Sequence, residues 1–247
     1  MRAKASELGG SHPDKQAAQL KLCEQAVQLD SRNADAWAGI ATIKASAVII
    51  GWSETPSEDL RSAMAASEQA LAINPHNPAA VSAKGRIFLA QRNFAAALEA
   101  FEHAIELNPS HPDYRQLAGL AKIMLGRAEE ALESLNEAVR LSPRDLQIAD
   151  TYLCMGVAYW ELERYPEALD WFERSKAQNP RIEVTKFLLA SCYLRIGEPE
   201  KANAAVRDVL QTKPGWTTRL VESSYPLRSA TLAAFVDDLR KAGLPDQ

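Results

Sequence analysis

Residues 150–180 read DTYLCMGVAYWELERYPEALDWFERSKAQNP, and the spacing of small and large residues within this stretch decides the fold. Apolar residues at Tyr152, Met155, Gly156 and Tyr159 recur at helical intervals, and so do Ala168, Phe172 and Ser175 further on. Between them ERYPE breaks the periodicity, and Pro180 ends the second run, because proline lacks the amide that would continue the ladder. The stretch therefore predicts two antiparallel helices joined by a short turn. Gly156 on the first helix and Ala168 on the second have almost no side chain, which lets the helices cross at short range. Phe172 then fills the space beside the crossing. A charge at Gly156 or Ala168 would be buried without a partner.

The same unit recurs on both sides. Pro75, Pro109 and Pro143 stand 34 residues apart, Pro180 follows 37 later, and Pro214 another 34 after that. They close AINP, ELNP, RLSP, AQNP and QTKP. Ala97, Phe101 and Ala104 recur as Ala131, Leu135 and Ala138, and then as Ala202, Val206 and Val209; Ala63, Ser67 and Ala70 form a weaker copy. The first helices carry Ala41, Gly85, Gly119, Gly156 and Ala190. A period of 34 with this pattern resembles the tetratricopeptide (TPR) repeat. The resemblance implies an all-α fold, a right-handed α-α superhelix (TPR solenoid) whose first helices, the A helices, line a concave groove.

The expected organisation is a partial N-terminal repeat or cap over 1–33, five units over 34–214 (34–77, 78–111, 112–145, 146–182 and 183–214), and a C-terminal segment over 215–247. QAAQLKLCEQAVQLDS reads as a lone second helix, so the chain is expected to begin inside a repeat, as a cap or as a piece of something longer. The unit 34–77 is ten residues longer than the units of 34, and the surplus lies in SAVIIGWSETPSEDL. There Gly51 can end a helix, Thr55, Pro56 and Glu58 spell a capping-box start, and Trp52 is expected to fold onto the helices. After Pro214, Ser229 can cap a last helix with Leu232, Phe235, Val236 and Leu239 on one face and Asp237, Asp238, Arg240 and Lys241 on the other. Such a helix suits the exposed end of a solenoid and predicts a C-terminal capping helix.

Groove positions are those on the A helices that the core leaves over. They fall on Ser82, Arg86 and Leu89; on Gln116, Leu120, Ile123 and Met124; on Leu153, Val157, Trp160 and Glu161; and on Phe187, Ser191, Leu194 and Arg195. The ten expected to bind a partner are Arg86, Leu120, Ile123, Met124, Leu153, Val157, Trp160, Phe187, Leu194 and Arg195. An apolar strip in a groove is expected to be covered by a protein or peptide, a second copy of the chain, or the chain's own tail, and part of it can also pack between neighbouring A helices. Arg86 and Arg195 flank it and suit a carboxylate. TPR domains that grip chaperone tails use Lys and Asn in the groove. Ser82, Arg86, Gln116 and Leu120 stand there instead, which argues against that mode.

Composition narrows the function classes. At 47% hydrophobic and 24% charged, the chain can bury a core. A net charge of -4 gives no field for nucleic acid or an anionic membrane, so neither is an expected partner. MRAKASELGG shows no secretory leader, and Ala45 to Trp52 is too short to span a bilayer. Cys23, Cys154 and Cys192 are few and scattered, which suits reduced thiols and a cytoplasmic location. No phosphate loop is present, and His12, His76, His103 and His111 have no ligand-spaced neighbours, so no enzyme activity, cofactor or metal is expected. Finally, GWSETPSEDL, PGWTTRLVESSYPLR and FVDDLRKAGLP resemble the C-terminal TPR region of bacterial class III adenylate/guanylate cyclase-type proteins. That resemblance implies a regulatory or oligomerisation module of a bacterial signalling enzyme, whose catalytic domain is absent from this sequence.

Overall fold

Asparagine side chains start several helices of the structure, a computed structural model that describes residues 13–143, 148–224 and 229–246. Asn33, Asn77 and Asn93 each accept a hydrogen bond from the amide three residues on, at 3.0, 3.0 and 3.3 Å, and so satisfy one free donor of the helix that follows. The described residues form thirteen helices and no strands. They divide into two compact units, the first ending at Ala121 and the second beginning at Lys122, within α6 (Pro112–Met124).

In unit 1, α1 (Pro13–Leu29) packs on α2 (Ala34–Ile49), which pairs with α3 (Pro56–Ile73), while α4 (Pro78–Ala90) pairs with α5 (Phe94–Leu107). In unit 2, α7 (Ala128–Leu141) packs on α8 (Ile148–Glu161). There α8 pairs with α9 (Tyr165–Gln178) and α10 (Glu183–Arg195) with α11 (Pro199–Thr212). The short α12 (Thr218–Ser224) and α13 (Ser229–Lys241) follow, with α13 lying against α10 and α12. These are the helix-turn-helix units of a TPR fold, and the all-α reading holds.

The crossings are as tight as the sequence requires. A methyl group on Gly156 would sit 2.3 Å from Phe172 Cε1, and one on Gly85 2.5 Å from Phe101 Cε1. Both rings are fully buried. The A-to-B turns repeat as well. The amides of Asn93, Arg127, Arg164 and Glu198 reach back to the carbonyls of Phe88, Lys122, Tyr159 and Tyr193 at 2.8–2.9 Å. Each closure needs a left-handed residue just after the A helix. Gly126 and Gly197 take it at φ 76° and 81°, but Arg92 and Glu163 hold it at 59° and 57°, where a Cβ is strained.

The insertion of unit 1 departs from expectation. Gly51 does turn the chain at φ 73°, but the Thr55 side chain makes no cap hydrogen bond. Instead the Ser53 hydroxyl donates to Asp59 at 2.7 Å and Lys44 to the same carboxylate at 2.9 Å, so the loop is tied to α3 one turn further in. Burial pushes the Asp59 carboxyl up, but those two hydrogen bonds outweigh it and hold its pKa below the ordinary value. Trp52 is 37% exposed beside exposed Ile50, so it is covered only in part. Its amide is drawn back to the Ala47 carbonyl at 2.8 Å.

Urea denaturation with matched circular dichroism reads the consequences of this geometry. Gly156→Ala should cost about 1–3 kcal/mol through overpacking against Phe172, while Gly215→Ala, with open space around it, should be near neutral. Glu163→Gly and Arg92→Gly should each stabilise by up to about 1 kcal/mol, because glycine relieves the left-handed strain.

Candidate functional site: the faces of the A helices

In unit 1 the groove positions of α2, α4 and α6 are stitched together by one side chain. Arg86 of α4 donates through one terminal nitrogen to Asp113 of α6 at 3.0 Å and through the other to Ser46 of α2 at 3.4 Å. Its Nε is buried without a protein partner, and its side chain is 16% exposed. Beside this polar group lies an apolar one. Leu120 and Ile49 are half-buried against Leu89, Leu117 and Ala118. Ser82 and Leu89 are buried, and Gln116 is half-buried. The face thus offers Arg86, Gln116 and Leu120 as partly open positions from the expected set.

In unit 2 the corresponding positions meet the chain's own C-terminal helix. Leu153, Val157 and Leu194 are half-buried in the cluster that holds Phe235, Val236 and Leu239 of α13. Trp160 is 7% exposed, its ring 6.4 Å from that of Phe235 at 81°. A hydrogen-bonded chain runs beneath it: the Trp160 indole donates to Ser191 Oγ at 2.9 Å, and Ser191 donates to Asp238 Oδ2 at 2.7 Å. Arg195 Nε donates to the same oxygen at 2.8 Å, which raises the guanidinium pKa further. Phe187 is fully buried, edge-on to Trp216 at 5.4 Å. Ile123 and Met124 are 1% and 7% exposed.

Trp160, Phe187, Ile123 and Met124 therefore present little or no open surface, whereas Arg86, Leu120, Leu153, Val157, Leu194 and Arg195 keep some. The sequence reading placed Asp238 on the solvated face of α13, and the structure corrects this, since it is 3% exposed. A residue three positions on lies only about 60° around the helix from its predecessor, so Asp238 sits at the flank of the face that Phe235 leads. Asp237, by contrast, is half-exposed and pairs with Lys241. Asp113 and Ser46 were also missed. Asp113 stands one turn before Gln116 on the same stripe of α6, and that spacing was the available signal.

The end of α13 is fixed to the start of α12. Thr218 donates its amide to the Pro245 carbonyl at 2.8 Å and its hydroxyl to Asp246 at 2.9 Å, and Arg240 reaches the same Asp246 oxygen. Cys23, Cys154 and Cys192 form no disulfide, and burial pushes the Cys192 thiol well up, which suits a packing role. Among the described residues no helix is long and apolar enough to cross a membrane, and no group of three metal-ligating side chains stands together. The Ser229 side chain lies outside the described set, as does His12.

Residues 82–145 and 114–178 match family models of the tetratricopeptide repeat, so the chain contains TPR repeats. Among solved structures it is similar to the APC/C hetero-tetramer Cut9-Hcn1, with a TM-score of 0.74 and 17% identity over 93% of this chain. It spans only 40% of that chain's length. It is also similar to a thermophilic TPR protein in Thermus thermophilus, with a TM-score of 0.57 and 22% identity over 74% of this chain and 92% of that one. A third is YrrB, a TPR protein with an unusual peptide-binding site, with a TM-score of 0.53 and 19% identity over 78% and 93% of the two chains. At these identities the likeness shows the fold alone. No curated protein matches the sequence. The matching family models describe the repeat and not a cyclase.

The two ends of the Arg195–Asp238 pair should respond differently to removal. The Arg195 side chain is 34% exposed and can return to water, whereas that of Asp238 is 5% exposed and cannot. Arg195→Ala should cost about 2–3 kcal/mol, because a buried carboxylate keeps only the Ser191 hydroxyl. Asp238→Asn, which keeps an acceptor for Ser191, should cost about 1 kcal/mol. Equal losses in chemical denaturation would contradict this geometry.

Proposed function

We propose that this protein is a non-catalytic interaction scaffold, and that it binds a peptide or helix of a partner protein on the A-helix face of unit 1. The observation that carries the reading is Arg86, held between Ser46 and Asp113 with its Nε unpaired, next to the half-open apolar positions Leu120 and Ile49. A fixed guanidinium beside an apolar patch can orient a peptide by one polar contact while apolar burial supplies most of the affinity. That the similar structure of YrrB has a peptide-binding site supports the class of ligand. We take the setting to be the cytoplasm of a bacterium, with no cofactor required.

The cyclase-type reading rests on the local sequences GWSETPSEDL, PGWTTRLVESSYPLR and FVDDLRKAGLP, and the geometry adds nothing to it. We therefore place the groove reading first.

The test is capture from a bacterial lysate by the full chain, followed by titration of the captured protein. Leu120→Glu and Arg86→Ala, each with unchanged circular dichroism, should weaken that binding at least tenfold. If both variants hold the same partner with unchanged affinity, the face of unit 1 is not the binding surface.

A further inference from the structure

The helix crossings of unit 2 are made by residues of α8 to α11. Gly156 closes on Phe172, and Ala190, Ala202, Val206 and Val209 are buried at the second crossing. What α13 covers instead are groove positions, Trp160 on α8 and Ser191 and Arg195 on α10, in the cluster against which half-buried Leu153, Val157 and Leu194 also pack. It meets them with an aromatic side chain, an aspartate three residues later, and flanking aliphatics. A helix lying in a groove by anchors at such spacing is a general mode of peptide recognition.

We propose that the A-helix face of unit 2 is an acceptor site for an amphipathic helix with an aromatic residue and an aspartate three positions after it. Helix α13 is the chain's own occupant, and it gives way to a partner helix of the same pattern. The polar chain argues for this over a plain structural cap. Apolar residues of similar volume stabilise a cap as well as a buried ion pair does, or better, so Asp238 adds selectivity rather than strength. The face brings two donors to one carboxylate oxygen, the Ser191 hydroxyl, itself held by the Trp160 indole N–H, and the Arg195 guanidinium, which together form a receptor for a carboxylate. Arg195 also keeps a third of its side chain in water, where an incoming carboxylate can engage it before Asp238 leaves. The site lies within unit 2 and is independent of the face of unit 1 that carries the proposed function.

Two measurements on the full chain test it. By hydrogen exchange, the amides of α13 should open ahead of those of α10 and α11, as a separate unit; exchange of α13 together with α10 at one rate would overturn the proposal. In the second, the probe is a labelled synthetic peptide of residues 229–243. The Phe235→Ala chain, whose inner helix is weakened while the acceptor face is intact, should take up the peptide at least tenfold more tightly than the wild type. A peptide carrying the Asp238→Asn change should bind about fivefold more weakly. A folded Phe235→Ala chain that takes up no peptide overturns the proposal, and if that variant does not fold, the exchange pattern of the wild type decides. Arg86→Ala should leave uptake unchanged. Uptake abolished by Arg86→Ala would place the peptide on unit 1 and overturn the assignment to unit 2. A wild-type dimer formed by exchanging α13 would assign the face to a second copy instead of a partner.

Discussion

Everything in this molecule depends on how closely an A helix approaches its B helix. At Gly156 and Gly85 there is no room for even a methyl group, because a phenylalanine ring from the B helix already lies there. That contact fixes which residues of the A helix are spent on the core. Close packing leaves no slack to move them, so the residues on the far side of the same helix are set too. The outward faces of α4 and α8 are set because Phe101 and Phe172 hold the opposite sides.

The two units use those faces differently. In unit 1, Arg86 bridges Ser46 and Asp113, and a polar position stands beside an apolar patch with part of both still open. In unit 2 the same kind of face is filled by α13, and a buried aspartate is satisfied by Ser191 and Arg195. A carboxylate at 3% exposure is tolerable only because its donors are already in place. The A-helix positions of this repeat therefore carry a bridging arginine in one unit and a buried aspartate held by a serine and an arginine in the other, with the same kind of crossing behind them.

Much of the fold was legible in the sequence. The prolines at 34-residue spacing, the small residues at Gly85 and Gly156 and the large ones at Phe101 and Phe172 report directly on helix ends and helix crossings. The turn strain at Arg92 and Glu163 was not legible, because the repeat tolerates a non-glycine residue where Gly126 and Gly197 show the preference. The site was read less well. Position on the A helices marked out the faces, but not what lies on them. Trp160 and Phe187 look like ligand contacts until α13 and Trp216 are placed over them. Asp238 reads as a solvated residue in the run FVDDLRK, because a neighbouring charge, Asp237, does face water. Only tertiary packing separates the two. The insertion shows the same limit, since Ser53 and Lys44 converge on Asp59 across fifteen residues that no local cap motif links.

The central claim is that the chain's own helix fills the A-helix face of unit 2 through a buried polar chain. The most direct measurement is hydrogen exchange of the indole N–H groups by NMR in the full chain. The account predicts that the Trp160 indole, bonded to Ser191 beneath Phe235, is strongly protected, while that of Trp52, at the exposed turn, exchanges with solvent freely. A Trp160 indole exchanging as fast as that of Trp52 would mean that the face is open and α13 lies elsewhere, and it would contradict the account.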